Sequence, residues 1–220
     1  PDFDTPDFIV EATRQALRDG ITRYGPAAGD PELRAAVAEK LSSGNGIATS
    51  PEQVLITNGG KQAIYNLFQV LLNPGDEVLL PAPYWLSYPE MAALAGAKVK
   101  LIPTQAGEGF RLDLTAVEAA ISPRSRLLVL NSPGNPTGRV MERQELEGVA
   151  DLVRRHPQLL VMSDEIYEFL LAEGEQHHSF AAIAPDLADR CFTVNGFAKG
   201  WAMTGWRLGY LAGHQDVIKA

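Results

Sequence analysis

Seven short apolar runs, at 54–57, 78–80, 98–103, 127–131, 159–163, 191–194 and 208–212, punctuate the chain, and most are unbroken rather than alternating. A strand that is apolar on both sides must be covered on both faces, which is the demand of a buried, parallel sheet. Segments of helical period fill the gaps at 62–72, 84–95, 114–121 and 142–155, and two more, 8–18 and 31–41, precede the first run. Pro31 directly after Asp30 is the N1 and N-cap pair that starts a helix. Residues 216–220 read as the beginning of a further one. Strand and helix therefore alternate as βαβ units with right-handed crossovers. The expected fold is α/β, with three layers and a mainly parallel seven-stranded sheet carrying helices on both faces. One connection breaks the rhythm: residues 195–207 contain Gly196, Gly200 and Gly205 and show no helical pattern. Loops of that length inside a compact domain are usually functional.

The 220 residues suit one large domain, or one and a fraction. Nineteen basic against 27 acidic residues give a net charge of −8, which excludes a broad footprint for nucleic acid or anionic membrane. Any anion must be held locally. No apolar stretch reaches bilayer length, and no charged segment followed by an apolar one opens the chain. A single cysteine, Cys191, rules out an internal disulfide, leaves too few thiols for a zinc-ribbon or iron–sulfur site, and makes a reducing, cytoplasmic setting the expectation. Opening at Pro1 and stopping within a helical segment, the sequence reads as an excerpt of a longer protein.

In an open parallel sheet, ligands bind beyond the carboxyl ends of the strands. After 54–57 comes Asn58-Gly59-Gly60-Lys61 and then a helix. Two glycines permit a tight turn with close backbone approach, and a helix N-terminus suits phosphate, although the same pair also serves as a plain turn. Neither GxxxxGK with a following Ser or Thr nor GxGxxG follows any run, so nucleotide and dinucleotide readings lack their motifs. After the fourth run, residues 131–138 are dense in Pro, Gly and Asn; the prolines either only stiffen a loop or hold Asn135 toward a site. After the fifth comes Ser163-Asp164-Glu165-Ile166-Tyr167, and an acid at a buried strand end needs a cap role or a cationic partner. After the sixth come Lys199 and Arg207; a lone loop lysine is ordinarily a solvated charge. Together these ends offer a phosphate cradle, an amide, an acid with a phenol, and a lysine with an arginine. That set suits a phosphorylated cofactor with a ring nitrogen and a carbonyl, pyridoxal 5'-phosphate.

In order along the chain, Tyr24-Gly25-Pro26-Ala27-Ala28-Gly29, Thr57-Asn58-Gly59-Gly60-Lys61-Gln62-Ala63, Pro83-Tyr84-Trp85, Asn135-Pro136-Thr137-Gly138, Ser163-Asp164-Glu165-Ile166-Tyr167, Lys199 and Thr204-Gly205-Trp206-Arg207-Leu208-Gly209-Tyr210 resemble one known family. It is the fold-type I, class I pyridoxal-phosphate aminotransferases, and the likeness is closest to the prokaryotic aspartate aminotransferase branch. The resemblance implies that Lys199 is the Schiff-base lysine and the base that moves a proton between substrate Cα and cofactor. It implies that Asp164 pairs with the protonated pyridine nitrogen, keeping the ring an electron sink. Tyr167 and Asn135 would hydrogen-bond the ring's phenolic oxygen, Asn135 also touching the substrate carboxylate. Gly59, Gly60 and Arg207 would hold the phosphate. Trp85 would stack on one ring face beside the substrate and Ile166 pack on the other. Lys61, next to the phosphate turn, would lie near the substrate's distal carboxylate, favouring aspartate or glutamate. Tyr24 would reach the phosphate in the neighbouring subunit, implying a homodimer. Three residues before the lysine many members carry a phosphate-binding serine, where this chain has Gly196.

By the same resemblance, residues 1–30 are an N-terminal segment belonging to the small domain and its linker, and 31–220 are the cofactor-binding large domain. The N-terminal glycine segment and the C-terminal small domain, with the arginine that clamps the substrate carboxylate, lie outside this sequence. The implied activity is ping-pong transamination between an L-amino acid and a 2-oxo acid. Other readings stay open on the same motifs: specificity for alanine, aromatic amino acids or prephenate, a lyase or synthase, or a non-catalytic cofactor-binding regulatory module. A nucleotide-binding α/β domain is the most distant. The adjacent His177 and His178 read as surface loop, and no metal site is expected.

Overall fold

The computed structural model describes residues 3–220. Its strands are β1 (Val54–Thr57), β2 (Glu77–Ala82), β3 (Lys98–Pro103), β4 (Ser125–Asn131), β5 (Leu160–Asp164), β6 (Cys191–Gly196) and β7 (Gly209–Ala212). They form one sheet in the order β1-β7-β6-β5-β4-β2-β3. All neighbours pair in parallel except β7, which runs antiparallel to both β1 and β6. The helices are α1 (Asp7–Arg18), α2 (Pro31–Gly44), α3 (Gly60–Leu71), α4 (Ser87–Leu94), α5 (Leu114–Ala120), α6 (Arg143–Arg155), α7 (Phe180–Ile183) and α8 (Gln215–Lys219).

The unbroken apolar runs divide residue by residue between two cores. In β2, Val78 and Leu80 pack with Ile64 and Phe68 of α3 and Tyr88 of α4, while Leu79 packs with Leu41 of α2, Val117 of α5 and Val149 of α6. Each wholly buried side chain of this kind contributes about 2 kcal/mol by leaving water. Strand β3 is the exception. As an edge strand it exposes Lys98 and Leu101, and Lys100 turns back to Glu77 Oε2 at 3.0 Å, so the edge is charged rather than covered.

Element ends differ from the periodicity for local reasons. Helix α4 starts at Ser87 rather than at 84, because Pro89 has no N–H and is accommodated only in a first turn. Pro81 is admitted to β2 because pairing with β4 stops at Leu79. Helix α3 starts at Gly60, two residues early, behind Gly59 with φ of +81°. Asp30 caps α2 as its position suggests, its Oδ1 accepting from the amides of Glu32 and Leu33. The four-residue α7 is too short to show a period. Residues 197–208 contain only the short 3-10 turn Thr204–Trp206. Among the described residues, no helix is long and apolar enough to cross a membrane.

The register gathers the informative strand ends on one edge. Asn131 lies beside Asp164, Asp164 beside Val194, and Gly209 pairs with Gly196 on one side and Thr57 on the other. Because β7 is reversed, Arg207 enters that edge just ahead of a strand rather than after one.

Candidate active site

These ends border a cavity of about 320 Å³. Gly60, Lys61, Trp85, Asn135, Asp164, Ile166, Tyr167, Lys199 and Arg207 all line it, together with Ile64, Tyr88, Asn131 and Ala198. Larger hollows exist, one of about 360 Å³ between α1 and α2 and one of about 500 Å³ beside His178, but neither gathers the strand-end residues.

One end of the cavity is built for an anion. A Cβ on Gly59 would fall 2.6 Å from Arg207 Nη2, so only glycine fits both that contact and the positive φ. Arg207 itself sits in the left-handed region at φ of +57°, held by its Nη1 donating to Thr204 O at 2.9 Å. Its guanidinium thus lies against the first turn of α3, where backbone N–H groups and the helix dipole add positive character. Among the described residues, Arg207, Lys61 and Lys199 enter no ion pair. The backbones approach so closely here that a Cβ on Gly209 would meet Gly59 C at 2.6 Å, and one on Gly196 would meet Gly209 Cα at 2.8 Å. That contact explains why this chain has glycine at 196.

The other end is acidic. Asp164 is buried; its Oδ2 accepts from the Tyr88 hydroxyl at 2.6 Å and its Oδ1 from the Ile166 amide at 3.3 Å. The second bond is the local cap geometry, yet among the described residues no cation pairs with either oxygen. Burial therefore pushes its pKa from 3.8 up to about 6, the nearby Glu165 charge adding to the rise and the two hydrogen bonds opposing it. Burial and the Asp164 charge likewise hold the Tyr88 phenol well above its ordinary range.

Between the two ends stand the amine, phenol and amide. Lys199 is exposed in the chain, with Nζ 5.5 Å from the centroid of the Tyr167 ring. Asn135 Nδ2 donates to Tyr167 Oη at 3.4 Å. Trp85 forms a wall, edge-on to Tyr88 at 5.3 Å between centroids and capped by Lys61 Nζ at 5.1 Å. Ile166 reaches toward Gly60 from the other side.

The placements of Tyr88, Asn131 and His177 go beyond or against the sequence reading. Tyr88 and Asn131 were not singled out. Asn131 Nδ2 donates to Asp164 O at 3.0 Å and its Oδ1 accepts from Asn135 N at 2.8 Å, so it ties the amide to the acid. The available signals were its place at a strand end and the three-residue spacing of Tyr88 from Trp85. Tyr24 is fully exposed and lies outside the cavity of its own chain. His177 is not surface loop: its side chain is 9% exposed and pairs with Glu165 Oε2 at 3.1 Å.

A buried carboxylate at one end and an arginine at the other, neither ion-paired among the described residues, with aromatic and aliphatic walls between, can hold a flat ring with a positive nitrogen and a phosphate. The model of the family described as "Aminotransferase class I and II" matches residues 1–220. The chain is 53% identical over its whole length to the bifunctional aspartate aminotransferase and glutamate/aspartate-prephenate aminotransferase of Petunia hybrida, covering 46% of that protein. It is 53% identical to the aspartate/prephenate aminotransferase of Thermus thermophilus, covering 56% of it. The structure of the Thermus thermophilus aspartate aminotransferase with maleate superposes with a TM-score of 0.95 at 51% identity, over 100% of this chain and 56% of that one. The chain thus spans about half the length of the relatives it matches. Fold, ordered motifs and full-length match agree: the chain belongs to the class I and II aminotransferases.

Proposed function

We propose that this chain is the cofactor-binding part of a pyridoxal 5'-phosphate-dependent aminotransferase that moves an amino group between an L-amino acid, aspartate or glutamate, and a 2-oxo acid by a ping-pong mechanism. The observation that carries the reading is Asp164, a buried carboxylate with no cationic partner among the described residues, facing a cavity whose far end is cationic. Bound there, the cofactor supplies an electrophilic carbon for the amino group and an electron-withdrawing ring for the charge left on Cα.

The protein's residues do the rest. Asp164 holds a positive ring nitrogen, and Tyr88 holds Asp164 by its 2.6 Å hydrogen bond. Arg207 and the turn at Gly59 and Gly60 grip the phosphate, the arginine through charge-assisted hydrogen bonds. Trp85 and Ile166 cover the two faces of the ring and exclude water. Tyr167 and Asn135 orient the ring oxygen, and Asn135 also meets the substrate carboxylate. The Lys199 amine would hold the cofactor's carbonyl carbon and, when free, would serve as the base that carries a proton between substrate Cα and that carbon. Lys61, which lines the cavity and enters no ion pair among the described residues, selects a second carboxylate on the substrate. Prephenate as a further acceptor is supported by the names of the Petunia and Thermus relatives.

We further propose that residues 31–220 form the large domain, with 1–30 linking to a small one. The protein acts as a homodimer in which the exposed Tyr24 completes the neighbouring phosphate site. A reducing, cytoplasmic setting suits the buried thiol of Cys191. The test is the visible absorption of the purified full-length protein before and after L-aspartate. A band that changes with aspartate, and that borohydride fixes onto the peptide holding Lys199, supports the reading; a colourless protein that takes up no pyridoxal phosphate overturns it. A change with alanine or an aromatic amino acid but not aspartate overturns the specificity alone.

A further inference from the structure

The segment 164–168 faces two ways. Asp164, Ile166 and Tyr167 line the cavity, whereas Glu165 and Glu168 turn into a buried polar cluster behind it. Buried carboxylates are tolerated only where donors satisfy them. Glu165 accepts from Ser163 Oγ at 2.9 Å and Ser179 Oγ at 2.6 Å and pairs with His177. Glu168 accepts from Asn45 Nδ2 and Asn195 Nδ2, each at 2.8 Å, and from Lys40 Nζ. All three partners of Glu168 are donors, so the position calls for a group that only accepts.

Asn195 is the link to the lysine. Its Nδ2 donates to Glu168, and its Oδ1 accepts from the amide of Gly196 at 2.7 Å, where β6 ends and the loop to Lys199 begins. The β5–β6 ladder pairs no further than Asp164 with Val194, followed by Glu165 N donating to Val194 O at 2.9 Å. On the cavity side, Tyr167 and Lys199 meet only through a ring contact at 5.5 Å. Phe169 also touches Trp201, at 6.2 Å between centroids, but an apolar contact sets no register.

We propose that the Glu168–Asn195 pair is a positioning device, locking the strap that carries Asp164 and Tyr167 to the strand end that carries the Lys199 loop. It acts from behind the site and touches neither substrate nor cofactor. The inference rests on the reading of the cavity as a pyridoxal phosphate site.

The test measures, on full-length holoprotein, the pH midpoint of the cofactor absorption band and the dissociation constant for pyridoxal phosphate. N195D sets two carboxylates against each other; it should move the midpoint and weaken cofactor binding about tenfold. E168Q/N195D restores a donor facing an acceptor and should return both readouts to within about threefold of wild type. A general folding defect would not be repaired by the second substitution. Should N195D fail to fold, E168Q serves instead, because Asn45 can turn its unpartnered Oδ1 toward the new amide; it should move the midpoint in the same direction by less. Unmoved readouts in folded N195D or E168Q, or a double variant no better than N195D, overturn the inference alone. A wild-type protein without a cofactor band overturns the underlying reading as well.

Discussion

The hydroxyl of Tyr88 donates to Asp164 Oδ2 across 2.6 Å, and both side chains are buried. A residue three positions beyond the Trp85 wall thus becomes the neutral donor that makes this buried carboxylate tolerable. Y88F removes that donor and leaves Asp164 only the long bond from Ile166 N. Because a hydrogen bond to a charged group is worth about 2 kcal/mol, the apoprotein should lose roughly that much at pH 8 and clearly less at pH 5, where Asp164 is protonated. Urea unfolding of wild type and Y88F at the two pH values checks it; equal losses would mean that the bond does not depend on the charge.

The raised pKa of Asp164 has a stability signature of its own. Between about pH 6 and pH 4 the folded apoprotein binds a proton there that the unfolded chain does not, so this group favours folding more as pH falls through that window. The rise of about two units corresponds to about 3 kcal/mol. Glu77 and Asp186 work in the opposite direction: their pKa values are lowered, Glu77 chiefly by Ser122 and Asp186 chiefly by Arg154, and they lose stability as pH falls. The difference in unfolding free energy between wild type and D164N isolates the Asp164 contribution and should change sharply across pH 4 to 6. A flat difference would show that the carboxyl is not desolvated.

Lys199 makes no hydrogen bond or ion pair within the described chain, so replacing it should spare the fold. K199A is expected to keep the wild-type melting temperature, to bind pyridoxal phosphate reversibly without capture by borohydride, and to lose at least about 100-fold in turnover. Calorimetry, peptide mapping after reduction and single-turnover kinetics examine the three parts. Turnover at the wild-type rate would falsify the role given to the lysine.

Gly196 is a test of packing rather than of chemistry. Its Cβ would meet Gly209 Cα at 2.8 Å and Leu208 O at 2.9 Å, both backbone atoms that cannot swing aside. G196S should therefore destabilise by about 1–3 kcal/mol. A melting temperature unchanged or higher in G196S would show that β6 and β7 separate more readily than the contact suggests.

Much of this architecture was legible in the residues. Unbroken apolar runs such as 127–131 announced strands covered on both faces, and the split of Val78, Leu79 and Leu80 between two cores is what that pattern encodes. The ordered strand-end motifs gave Asp164, Tyr167, Lys199, Asn135 and Arg207, which line one cavity. Tyr88 was hidden because a buried tyrosine on an apolar helix face carries the same signal as a core residue. Asn131 and Asn195 were hidden because each reaches a partner far away in sequence, Asp164 O and Glu168, a meeting set by the fold rather than by spacing along the chain. The buried setting of His177 was invisible for the same reason: its partner Glu165 lies on the far side of a loop.

The reversal of β7 has a practical consequence. Gly196 and Gly209 are directly paired, so residues 197–208 leave the sheet and return to it at adjoining positions. The excursion is a cassette with both ends fastened to the same rung, carrying the amine and the guanidinium together. Anchored so, the amine and the guanidinium approach the cavity from one base, and a shift of that rung would carry both together.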